Sequence, residues 1–131
     1  MEALLGTWRL QSAQELNPLG DCVSLLLEPN PMGLLCYNRD GFVFVHLSAG
    51  ERLAQNAIER EQPNSVYYGY VGRFELRGNQ VYHHVEISRD PNIMGKTFKR
   101  SYHLDGDLLS LSWRHGEVNT GRIVWQRVSG D

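Results

Sequence analysis

Two short motifs bracket this chain, Gly6-Thr7-Trp8-Arg9-Leu10 near one end and Arg122-Ile123-Val124-Trp125-Gln126-Arg127 near the other. Nearly everything between them reads as short strands and tight turns. Glycine permits a sharp bend, tryptophan fills a barrel floor, and a guanidinium can lie across an indole face. A first and a last strand that meet in this way close a sheet on itself. A barrel plugged at one end by Trp8 and Arg127 and open at the other is a cup, and a cup suits a small molecule.

Alternation and turn residues place nine strands, at residues 7–14, 21–27, 33–37, 42–47, 67–76, 80–88, 96–104, 108–113 and 118–128. Glu28-Pro29-Asn30-Pro31 breaks the second, because proline withholds a donor and restricts its predecessor. Asn38-Arg39-Asp40-Gly41, Arg77-Gly78-Asn79 and Asp105-Gly106-Asp107 are hairpin turns. The expected fold is all-β, a single-domain antiparallel up-and-down barrel of eight or nine strands spanning 1–131. Residues 51–62 differ: good helix formers, with Leu53 and Ala57 at i, i+4 and Pro63 as the stop, predict a short helix or lid.

Charge and composition exclude several functions. The 131 residues carry 13 Lys and Arg against 15 Asp and Glu, a net charge of −2 with no basic stripe, so no nucleic-acid partner is expected. No apolar run approaches the roughly 18 residues of a membrane span, and no signal peptide is read at the start. Cys22 and Cys36 are therefore expected to be reduced packing residues of a cytoplasmic protein. No Gly-x-Ser-x-Gly elbow or glycine-rich phosphate loop is present, and two histidines without a third ligand do not argue for metal. The expectation is no cofactor and no metal, with a homodimer allowed.

Period two along each strand groups the residues that share an inward face. Phe44 and His46, then Tyr68, Tyr70 and Phe74, then His83, Val85 and Ile87, form three such sets. Arg100 and Tyr102 on a later strand and Trp125 on the last complete an aromatic pocket with a few polar points. His83 can act there as a general acid or base, or hydrogen-bond a ligand; alternatively it is a structural histidine held by a carbonyl or a tyrosine. Arg100 can stabilise an anionic oxygen, or pair with Glu86 or Glu75 across the sheet. Tyr70 can hydrogen-bond a ligand or simply fill space. His83, Arg100 and Tyr70 are the candidate catalytic residues. Phe44, His46, Tyr68, Phe74, Val85, Tyr102 and Trp125 are the candidate ligand-binding residues.

An ordered series of motifs carries a resemblance over nearly the whole chain. It comprises Leu5-Gly6-Thr7-Trp8-Arg9-Leu10, then Pro31-Met32-Gly33-Leu34-Leu35-Cys36-Tyr37, Asp40-Gly41 and Tyr70-Val71-Gly72-Arg73-Phe74-Glu75. Val81-Tyr82-His83-His84-Val85-Glu86 and Val124-Trp125-Gln126-Arg127 complete it. With these motifs the chain resembles single-domain lipocalin-like proteins of the bacterial and fungal kind, within the calycin group. The resemblance implies a small, largely apolar organic ligand. By analogy it also implies cofactor-independent cyclase or isomerase activity in natural-product biosynthesis, with a non-catalytic carrier as the alternative. Fatty-acid-binding proteins share the Gly-Thr-Trp start, but they carry a helix-turn-helix after the first strand and an Arg-x-Tyr on the last. Here residues 16–37 read as strand and turn, and Arg122-Ile123-Val124 lacks the tyrosine.

Overall fold

A computed structural model describes residues 2–49 and 66–129. The expected helix or lid at 51–62 lies outside the described residues. Nine strands form one antiparallel sheet: β1 (Gly6–Leu16), β2 (Cys22–Leu25), β3 (Met32–Tyr37), β4 (Phe42–Ala49), β5 (Val66–Arg77), β6 (Gln80–Ser88), β7 (Thr97–Asp105), β8 (Leu108–His115) and β9 (Asn119–Ser129). Their order is β2-β1-β3-β4-β5-β6-β7-β8-β9, and β1 also pairs with β9. Eight strands, β1 and β3–β9, thus close a barrel. β2 stands outside the ring, because Gly6–Arg9 of β1 pairs with β3 while its far end, Gln14–Leu16, pairs with β2. Cys22 on this outer strand is exposed, and both cysteines are free.

The barrel interior follows from which residues of each strand are apolar and branched. Leu35 and Tyr37 of β3, Val43 and Val45 of β4, and Leu109 and Leu111 of β8 point into the core. Burying each such aliphatic side chain contributes about 1.5–3 kcal/mol. One end is sealed. A 3-10 turn at Glu2–Leu4 crosses the barrel floor, and the Trp8 indole N–H donates to the Leu4 carbonyl at 3.0 Å. The Arg127 guanidinium lies 4.2 Å from the Trp8 ring centroid and donates to the carbonyls of Leu5 (3.0 Å) and Ala3 (2.7 Å).

A bulge on β6 changes one face assignment. Opposite Val71 and Gly72 the β6 partners are Ile87 and Val85, so Glu86 is the extra residue. Beyond it Ile87 turns outward and is 65% exposed, instead of sharing the inner face of His83 and Val85. Gly72 makes this close approach possible: a Cβ there would meet the His84 carbonyl oxygen at 1.9 Å.

Candidate functional site

Above the floor the barrel encloses a cavity of about 520 Å³, within the usual range for small-molecule sites. Its deep wall is apolar, built from Leu35, Val45, Leu111, Ile123 and Trp125. Its rim includes Leu26, Leu27 and Ile93, together with the exposed carboxylates Glu28 and Asp90. Tyr70 of β5, His83 of β6 and Arg100 of β7 reach the cavity from adjacent strands, and Tyr68 of β5 and His115 of β8 also line it.

His83 is the centre of this group. It is 2% exposed, and both ring nitrogens are engaged. Nε2 lies 2.8 Å from the Tyr37 hydroxyl, and Nδ1 lies 2.7 Å from the Tyr70 hydroxyl. Burial, reinforced by the positive charge of Arg100, pushes the His83 pKa down to about 3, so the ring is neutral at physiological pH. Burial raises both phenols as well, Tyr37 well above its ordinary value, and the Arg100 charge opposes the rise in each.

Arg100 is unusual in lacking an acidic partner. Its guanidinium carbon lies 5.0 Å from the Phe98 ring centroid and 4.9 Å from the Trp113 ring centroid. Its hydrogen bond within the fold is a long one, 3.4 Å, to the neighbouring Lys99 carbonyl. Among the described residues no carboxylate forms an ion pair with it. Glu86 pairs with Arg73 at 3.7 Å instead, and Glu75 pairs with Arg77 at 3.1 Å and with His84 at 2.8 Å. Burial lowers the Arg100 pKa from the guanidinium value, while the nearby phenols act the other way. Trp113 reaches its place because it pairs with Gly121 of β9, where a Cβ would fall 2.3 Å from the indole.

The structure brings Tyr70, His83, Arg100, Tyr68 and Trp125 to one cavity. Tyr68 stands at the rim, 48% exposed, and Trp125 is deep in the wall. Phe74, Val85 and Tyr102 point inward but do not line the cavity. Phe74 packs on Tyr37 with ring centroids 4.7 Å apart, Val85 is core, and the Tyr102 hydroxyl donates to the Gly78 carbonyl at 3.2 Å. Phe44 and His46 lie on the outer face, opposite to expectation. Their neighbours Val43 and Val45 take the interior, and His46 bonds the outer Tyr67 hydroxyl at 2.5 Å. Both faces of β4 are apolar in sequence, so alternation alone could not say which one turns in. Sequence reasoning also missed Tyr37 and Trp113. The available signal for Tyr37 was its alternation with Leu35 on β3; Trp113 needed the β8–β9 register. No cluster of metal-ligating side chains occurs among the described residues.

A closed antiparallel barrel with one sealed end and a chamber inside defines the calycin type of β-barrel, a shape that points to small-molecule binding. This chain belongs to the lipocalin-like domain family, whose model matches residues 5–128. It is similar to the 4'-hydroxy-3'-methoxypropiophenone carrier protein ppsC of Aspergillus oryzae, at 40% identity over 75 residues covering 47% of this chain and 68% of that protein. Among solved structures it is similar to Echinococcus granulosus fatty-acid-binding protein 1, with a TM-score of 0.48, 15% identity, and coverage of 98% of this chain and 100% of that chain. It is also similar to a mutant of the fluorescent protein UnaG, with a TM-score of 0.45, 14% identity and 98% coverage of each chain. No helix among the described residues is long and apolar enough to cross a membrane.

Proposed function

We propose that this protein is a carrier for a small, largely apolar aromatic molecule, held in the barrel cavity without chemical change. One observation carries the reading: both ring nitrogens of His83 are spent on tyrosines, at 2.8 and 2.7 Å, so the imidazole has no nitrogen left for a substrate proton. A general base must reach the proton it removes. His83 in this arrangement holds Tyr70 in place, and the apolar wall supplies most of the binding. The similarity to a carrier of an aryl ketone supports the same reading. The chamber is built within one chain, so binding does not require a homodimer. The two free cysteines agree with a reducing compartment such as the cytoplasm.

The second reading is a cofactor-independent cyclase or isomerase. Arg100 favours it, since a half-buried guanidinium with no carboxylate partner among the described residues, beside a phenol, could stabilise an enolate as it forms. The experiment that separates the two is incubation with 4'-hydroxy-3'-methoxypropiophenone and related phenolic ketones, followed by calorimetry and mass spectrometry of the recovered ligand. Stoichiometric binding with the ligand returned intact supports the carrier. Turnover that falls at least about tenfold in both Arg100→Ala and Tyr70→Phe, with folding preserved, supports catalysis. Absence of binding across the panel removes both readings.

A further inference from the structure

The hydrogen bonds of His83 leave one hydrogen to be placed, and its position decides what the cavity recognises. A neutral imidazole has one N–H and one bare nitrogen. Tyr37 and Tyr70 must therefore act oppositely: one donates its hydroxyl hydrogen to the ring, and the other accepts from it. The accepting tyrosine keeps a hydroxyl hydrogen to spend elsewhere. Tyr37 is 1% exposed and does not line the cavity, and among the described residues its hydroxyl has no hydrogen-bond partner other than His83. A hydrogen left over on Tyr37 would be stranded in a sealed interior and would carry the full desolvation cost. A hydrogen left over on Tyr70 opens onto the cavity, where a guest or water can accept it. The chain therefore runs one way. The arrangement without a stranded hydrogen has the Tyr37 hydroxyl donating to Nε2 across 2.8 Å, Nδ1–H donating to the Tyr70 oxygen across 2.7 Å, and the Tyr70 hydroxyl donating into the cavity.

We infer that Tyr70 and Arg100 form a donor-only subsite that selects guests carrying a carbonyl oxygen, with Tyr37 and His83 as positioning residues that hold Tyr70 as a donor. Arg100 can only donate, and it reaches the same cavity with no carboxylate among the described residues to satisfy it. A keto oxygen accepts from both groups and brings no hydrogen of its own. An alcohol brings a hydrogen that finds no carboxylate at this depth among the described residues, since the lining carboxylates Glu28 and Asp90 are exposed at the rim. A hydrocarbon expels water and leaves both donors unpartnered. This inference rests on the cavity being a binding site, and it adds the class of oxygen that the site reads.

The test uses three shape-matched guests, 2-acetylnaphthalene, 2-ethylnaphthalene and 1-(2-naphthyl)ethanol, titrated calorimetrically into the full chain. The ketone is expected to bind about tenfold more tightly than either analogue, the worth of about one well-placed hydrogen bond. In Tyr70→Phe that ratio falls several-fold, with Arg100 as the remaining donor. In Tyr37→Phe it also falls, although residue 37 does not touch the guest; a mere packing defect would weaken all three guests alike and keep the ratio. Ring nitrogen-15 spectra of the unmodified protein give a readout that needs no variant, and they should show His83 protonated on Nδ1. Equal affinity for ketone and hydrocarbon, or a proton on Nε2, overturns the inference while leaving a binding cavity. Failure of all three guests to bind overturns it together with the carrier reading.

Discussion

Two arginines of this barrel rest on tryptophan faces, and they differ in everything else. Arg127 at the floor lies over Trp8, donates to two main-chain carbonyls and faces the Asp107 carboxylate at 3.7 Å, so the fold itself supplies its acceptors and its counter-charge. Arg100 in the chamber lies against Trp113 and Phe98 and, among the described residues, has only a long bond to the neighbouring Lys99 carbonyl. The floor is a finished structure. The chamber contains a guanidinium that no carboxylate among the described residues pairs with. Donor groups left without acceptors in an apolar chamber reduce folding stability and favour a guest that supplies the acceptor. The comparison teaches that the same local pairing of guanidinium and indole serves closure at one end and recognition at the other. The difference lies in the acceptors around it.

The largest expected effect tests the floor directly. Trp8→Ala removes a fully buried indole and its bond to Leu4, and should lower the unfolding free energy by about 3–5 kcal/mol in urea titration. Next, the two arginines should separate. Arg127→Met is expected to cost about 2 kcal/mol, as charged donors to two carbonyls are lost. Arg100→Met should leave stability within roughly 0.5 kcal/mol or raise it, because a charge without an ion-pair partner among the described residues is exchanged for an apolar group, while affinity for a ketone guest drops several-fold. Equal destabilisation by the two substitutions would erase the contrast.

Acid sharpens it further. The unfolded chain takes up a proton on His83 near pH 6.5, whereas the folded chain resists until about pH 3. The stability due to a neutral His83 is thus complete above the unfolded value and is lost as pH falls toward the folded one. The slope is about 1.4 kcal/mol per pH unit. Denaturation midpoints measured from pH 7 to pH 4 should show this loss, and His83→Asn should make the slope shallower by one proton. The smallest effect belongs to the outer face. The Tyr82 hydroxyl reaches Gln80 only at 3.4 Å, so Tyr82→Phe should change stability by less than about 0.5 kcal/mol and leave guest binding unaltered.

Much of this architecture was legible before any coordinates. The nine strands follow from alternation and from Asp-Gly and Gly-Asn turns, whose conformational demands are local. The pairing of Trp8 with Arg127 was readable because each sits in a distinctive motif. The chamber was legible in part. Period two grouped Tyr70, His83 and Arg100 on inward faces, and the structure brings them to one cavity. The same rule turned Phe44 and His46 inward, because β4 offers apolar residues on both faces and only pairing with β3 and β5 chooses between them. It also placed Ile87 inside, since a bulge resets the alternation and leaves no clear mark in composition.

By itself, then, the order of residues determined the strands, the turns, the closed all-β class and the plug at the floor, because these rest on near neighbours and on the side-chain period of a strand. Only the tertiary structure decided that Tyr37 would meet His83 across 46 positions, that Trp113 would lie on Gly121, and that Arg100 would rest against Trp113. Those outcomes depend on register and barrel closure. Side chains from distant strands share a cavity only after the sheet has curled and its first and last strands have joined.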